Sequence, residues 1–149
     1  MLKKLFAGTA TVALTAGVLT GAAQAQISGD VVKIGVLTDK SGLYADVAGE
    51  GAVVAAQMAV EEFGGKAAGK PVQVISADQQ NKADISSNIA RQWFDTDGVD
   101  AIADLVTSST ALAVQEVARD KGKVTLVYGA KDPKINHAAV LAKVLKPKP

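Results

Sequence analysis

The sequence predicts an α/β domain, a parallel sheet with helices on both faces. Three observations carry that expectation. Four strand-like apolar runs alternate with three helically spaced apolar stretches between residues 31 and 128, the pattern of strands joined through crossover helices. The connections are short, which fits right-handed crossovers. The chain has 149 residues, 48% hydrophobic and 21% charged, which suits one folded domain and excludes a wholly disordered chain.

Residues 31–38 (VVKIGVLT) lie between Asp30 and Asp39 and read as a buried strand. Residues 39–49 are polar and contain glycine, a long loop. Over 50–63, Val53, Ala56, Val60 and Phe63 recur at helical spacing, and Gly64-Gly65 ends the helix. Residues 71–78 (PVQVISAD) alternate polar and apolar, a second strand. Asn81 stands where a helix cap is expected, with Asp84 three residues on. Ile85, Ile89 and Trp93 then mark the inward face, and Asp97-Gly98 closes the helix. Residues 99–105 form a third strand. Thr107-Ser108-Ser109-Thr110 leads into a helix with Leu112, Ala113, Val117 and Ala118 inward. Lys121-Gly122-Lys123 puts positive charge at its C-terminus, where the macrodipole favours it. Residues 124–128 are the fourth strand.

The net charge of +1 is unevenly placed. Residues 1–25 carry Lys3 and Lys4 and no acid. Residues 26–128 hold nine basic against fourteen acidic side chains, and residues 129–149 hold five lysines against Asp132 alone. The first stretch has a basic head, an uncharged run over 5–21 and Ala23-Gln24-Ala25, the pattern of a secretory signal peptide cut after Ala25. The run is broken by Gly8 and Gly17 and falls short of the roughly 20 apolar residues that span a bilayer, so no stable membrane anchor remains after cleavage. The expected location is the periplasm. The acidic middle excludes a strongly basic nucleic-acid binder. The absence of cysteine excludes disulfides, thiolate catalysis and zinc-thiolate sites.

In an open parallel sheet, ligands bind beyond the carboxyl ends of the strands. Thr107, Ser108 and Ser109 at a helix N-terminus can hold a carboxylate through hydroxyls, free amides and the helix dipole, or can simply cap the helix. Tyr44 can lie over an apolar ligand or pack the loop down. Asp78 ends the second strand where a dinucleotide fold places its ribose acid, but no G-x-G-x-x-G follows the first strand: Gly49-Glu50-Gly51 has Val54 where the third glycine belongs. No phosphate loop is present either, so Asp78 reads as a carboxylate that fixes its loop. His137, the one histidine, has no carboxylate pair around it, and no serine has a partner base. These features call for no enzyme, cofactor or metal.

Residues 32–38 (VKIGVLT) followed by Ser41-Gly42-Leu43-Tyr44 resemble the opening of the substrate-binding proteins of branched-chain amino-acid ABC transporters. So do Gly51-Ala52, Asp78, and Val99-Asp100-Ala101-Ile102 ahead of the Thr107 turn. The ordered series from about 31 to 127 carries the likeness. These are type I periplasmic binding proteins, with two Rossmann-like lobes that close on small carboxylated ligands, and the chain looks like half of one such lobe. The resemblance implies capture of an amino acid or similar carboxylate for a cognate ABC permease. It puts the carboxylate contacts on Thr107, Ser108 and Ser109, and further contacts near Gly129 and Ala130. Lys131 departs from the small or hydroxyl residue usual in relatives. It also implies a division into residues 1–25 as signal peptide, 26–128 as partial lobe and 129–149 as an atypical basic tail. Family members are roughly twice this size or more, so a truncated or frame-shifted product is expected. The alternative is a small secreted flavodoxin-like domain with an enzymatic or signalling role, for which the 39–49 loop has little glycine.

Overall fold

A computed structural model describes residues 27–135; the proposed signal peptide, His137 and most of the basic tail lie outside them. Val32–Thr38 forms β1 at the centre of the sheet, and its last four residues are fully buried. β3 (Lys70–Asp78) pairs with it in parallel on one side and β4 (Ala101–Asp104) on the other, with β5 (Val124–Val127) beyond β4. A two-residue strand, β2 (Lys66–Ala67), runs antiparallel along the outer edge of β3, giving the order β2-β3-β1-β4-β5. The β2–β3 turn is Ala68-Gly69, both at positive φ, the backbone that matches strand twist in a tight hairpin.

Helix α1 (Gly49–Glu62) packs on β1 and β3, while α2 (Ala83–Asp95) and α3 (Ser108–Lys121) pack on each other. Alternation along β1 divides the faces. Leu37 joins the main core with Trp93, Phe94, Ile102, Leu105, Val114 and Val117, whereas its buried neighbour Val36 does not. Gly35 lies directly under Trp93, and a Cβ there would overlap the indole ring. The predicted class is the observed one, with helices on both faces.

The inward helix faces differ in detail from those expected. On α2 the buried residues are Ser86, Ala90, Trp93 and Phe94, with Ile89 packed at the margin. On α3 they are Thr110, Ala111, Val114, Val117 and Ala118, with Leu112 at the margin. Phe63, expected to face inward, is 76% exposed. It stands at the C-cap of α1. Gly64 and Gly65 follow at positive φ and end the helix as expected.

Candidate functional site

β1 and β4 are neighbours, but the chain leaves their carboxyl ends toward opposite faces, to α1 and to α3. That divergence opens a crevice at the switch point of the sheet. The predicted site residues stand on both of its sides.

The 39–49 loop, on the α1 side, is organised by Asp39. This buried carboxylate accepts hydrogen bonds from the amides of Gly42 (2.7 Å) and Tyr44 (3.0 Å). The Tyr44 carbonyl in turn accepts from Val47 and Ala48, closing a helical turn before α1. Tyr44 is half-buried on this turn. The signal for it was present in sequence as Asp39-Lys40-Ser41-Gly42, an aspartate three residues before a glycine, which favours such a side-chain-closed turn.

Asp78 fixes its loop, as expected. Its Oδ1 accepts from the amides of Lys40 and Gln80, each at 2.9 Å, and its Oδ2 accepts from the Ser41 hydroxyl at 2.6 Å. Burial pushes this carboxyl up, but the Ser41, Lys40 and Gln80 bonds outweigh it and hold it below the usual carboxylate value. Asp78 thereby joins the loops after β3 and β1.

The expected cap role of Asn81 is not what forms. Lys82 is the N-cap of α2 and makes no side-chain cap bond, while Asn81 takes a left-handed backbone with φ +52. Asn81 Oδ1 instead accepts from the Thr107 hydroxyl at 2.8 Å. The Asn81 side chain is drawn away because a distant partner competes with the local cap, and local spacing cannot reveal such a partner.

Thr107 is the N-cap of α3 in an extended conformation. Its hydroxyl is committed to Asn81 and lies 2.9 Å from that of Thr110. Ser108 Oγ accepts from the amides of Lys131 and Asp132, each at 3.2 Å, which ties the loop after β5 to the start of α3. Ser109 is exposed, and its hydroxyl has no partner among the described residues. Ala111 is the first residue whose amide turns back to Thr107 O, so the amides of Ser108, Ser109 and Thr110 point out of the helix end.

Gly129 adopts φ +87, a backbone that favours glycine, and faces Val106. Ala130 packs against the main core. The structure therefore brings Thr107, Ser108 and Ser109 together with Gly129, Ala130 and Lys131. Tyr44 stands on the loop across the crevice, with no hydrogen bond to that group among the described residues. The arrangement presents amides, two hydroxyls and a helix N-terminus to one opening, a surface that suits an anionic oxygen.

Sequence reasoning passed over Thr38, Gln79 and Asp104. They lie at or just past the ends of β1, β3 and β4, and Thr38 Oγ1, Gln79 Nε2 and Asp104 Oδ2 are buried without a hydrogen-bond partner. Burial pushes the Asp104 carboxyl above its usual value. The nearby Thr38 hydroxyl opposes the rise, although the two groups fall short of hydrogen-bond geometry. Among the described residues no group of acidic or histidine side chains is arranged to hold a metal ion.

The periplasmic binding protein family profile matches residues 31–142, past Tyr128 where the likeness was expected to stop. No curated protein matches the chain. Among solved structures, a periplasmic binding protein from Burkholderia mallei is 49% identical with a TM-score of 0.69, over 71% of this chain and 28% of that one. A branched-chain amino acid ABC transporter periplasmic ligand-binding protein from Burkholderia xenovorans is 55% identical with a TM-score of 0.62, over 64% and 26%. An ABC transporter solute-binding protein from Rhodopseudomonas palustris, in complex with 4-hydroxybenzoate, is 26% identical with a TM-score of 0.64, over 70% and 28%. The chain thus spans little more than a quarter of the length of each of these relatives.

Proposed function

This chain belongs to the periplasmic binding protein family, and on that premise we propose that it captures small carboxylated ligands for ABC-type import. Amino acids and aromatic acids are the classes that its relatives' descriptions support. One observation carries the reading: the first turn of α3 offers the outward amides of Ser108, Ser109 and Thr110, and Ser108 binds it to the 129–132 loop. Residues 26–128 then act as a partial lobe, with Thr107, Ser108, Ser109, Gly129 and Ala130 on one side of the ligand and Tyr44 on the other. The ligand is held and delivered to a cognate permease, with no chemistry performed on it.

Export belongs to the same reading: residues 1–25 act as a signal peptide and the mature chain works in the periplasm. Mass spectrometry of the exported protein tests this, and a mass that includes Met1 would refute it. No helix among the described residues is long and apolar enough to cross a membrane. The family match favours transport over a flavodoxin-like enzymatic role.

Ser109→Asp tests the carboxylate site. An acid in the first turn favours the helix dipole, worth about 0.3–1 kcal/mol, yet it repels a carboxylate ligand. Calorimetry with leucine and 4-hydroxybenzoate is expected to show weak binding by the parent chain, and none by the variant, while the variant's melting temperature holds or rises. Unchanged binding by Ser109→Asp would overturn the assignment.

A further inference from the structure

Asp104 gathers two costs at one residue. It is the last residue of β4 and only 8% exposed, and its Oδ2 has no hydrogen-bond partner. Its φ is +82, and Leu105 follows at +60. Left-handed backbone is uncommon for residues with a Cβ, and an unpaired buried carboxylate oxygen loses its hydration without compensation. Glycine at position 104 would relieve both. Such costs persist where surrounding structure enforces them, and they cluster where a ligand is clamped.

The location supports a ligand role. Leu37 pairs in register with Asp104, so Thr38, the last residue of β1, stands beside Asp104 at the carboxyl ends of the two central strands, beneath the switch point. Its hydroxyl is the second buried polar group there without a partner. Asp104 precedes Thr107 by three residues, a span of at most about 10 Å of chain. One ligand the size of an amino acid or a hydroxybenzoate can therefore span from these strand ends to the first turn of α3.

We propose that Asp104 is a specificity-determining residue, whose carboxylate, with the Thr38 hydroxyl beside it, recognises a hydrogen-bond donor on the same ligand whose carboxylate rests at α3. The assignment builds on the carboxylate reading above and narrows it. The ligand carries an acid and a donor, the donor being an ammonium or a hydroxyl. Donor-free acids of the same shape leave the Asp104 oxygen unpaired and bind less well.

The test compares two pairs of probes by NMR titration of the full chain: leucine against 4-methylpentanoate, and 4-hydroxybenzoate against benzoate. In the parent chain the donor-bearing member of at least one pair is expected to bind about tenfold tighter, the usual scale for a hydrogen bond to a charged group. The pair that shows it distinguishes ammonium from hydroxyl recognition. Asp104→Gly is expected to erase the preference while melting no lower than the parent, since glycine accepts φ +82 without strain. Asp104→Asn keeps volume and tolerance of left-handed backbone, and is expected to weaken the preference as well. Equal binding within both pairs overturns this inference and leaves the carboxylate reading standing. Failure of all four acids to bind overturns both. A preference that survives in both variants, or a lower melting temperature for Asp104→Gly, also overturns it.

Discussion

The Thr107 hydroxyl donates to Asn81 Oδ1 at 2.8 Å, joining the start of α3 to the loop after β3 across 26 residues of sequence. This bond sets the mouth of the crevice on the α2–α3 side. Thr107→Val preserves shape and removes the donor. A net loss of about 0.5–1.5 kcal/mol is expected in urea unfolding, and the change in free energy should be shared, not summed, with Asn81→Ala in a double-mutant cycle. Additive losses would show that the bond contributes nothing of its own.

Gly42 sits where a side chain has no room, because a Cβ would stand 2.5 Å from Asp39 Oδ1 and 2.6 Å from Oδ2. Gly42→Ala must displace the carboxylate that holds the Gly42 and Tyr44 amides. The expected loss is about 1–3 kcal/mol, the scale of an overpacked contact. Thermal melting measures it, and an unchanged melting temperature would mean that the 39–49 turn does not depend on Asp39.

Trp93 is the chain's one tryptophan and is 5% exposed, seated over Gly35. Its fluorescence therefore reports on the main core. Gly35→Ala forces the indole aside, with an expected cost of about 1–3 kcal/mol and a red-shifted emission. Trp93→Ala removes the ring altogether at about 3–5 kcal/mol, enough to unfold a marginal domain. Native-like emission in Gly35→Ala would contradict the packing described.

Three carboxyls give stability opposite dependences on pH. Burial opposes ionisation of Asp78 and Asp100, but hydrogen bonds outweigh it and hold both below their ordinary 3.8. Their contributions are present above that value and are lost as pH falls through the lowered one. For Asp104, burial raises the folded value above 3.8. Its contribution is full below 3.8 and is lost as pH rises through the raised value. Asp104→Asn should therefore melt higher than the parent at pH 7, with the difference shrinking as pH falls below 3.8. A difference that is independent of pH would refute the assignment.

Much of the fold was legible because β1, β3 and β5 are rich in β-branched residues and each helix is followed by glycine or an acid–glycine pair. What escaped depends on partners far away in sequence. Ser86 looks polar and outward, yet its hydroxyl donates to Gln79 Oε1 at 3.0 Å inside the fold. Asn81 has the spacing of a cap, but Thr107 recruits it. β2 has two residues and no apolar run, so only its pairing with Lys70 and Pro71 defines it. In the candidate site, the hydroxyl-rich turn at the start of α3 and the loop-fixing role of Asp78 were readable from chemistry alone, with carboxylate holding and helix capping both open for the turn. Asp104 was not, since its significance lies in a backbone angle and a missing partner.

The small β2 hairpin also gives the sheet a direction of growth. At the start of β3 the outer edge is occupied by β2, where Lys66, Lys70 and Pro71 discourage a further strand. On the other side, β5 is the terminal strand among the described residues, and Val124, Leu126 and Tyr128 are more than half exposed. Among the described residues the β5 margin is therefore where an added strand would cover exposed apolar side chains and extend the sheet.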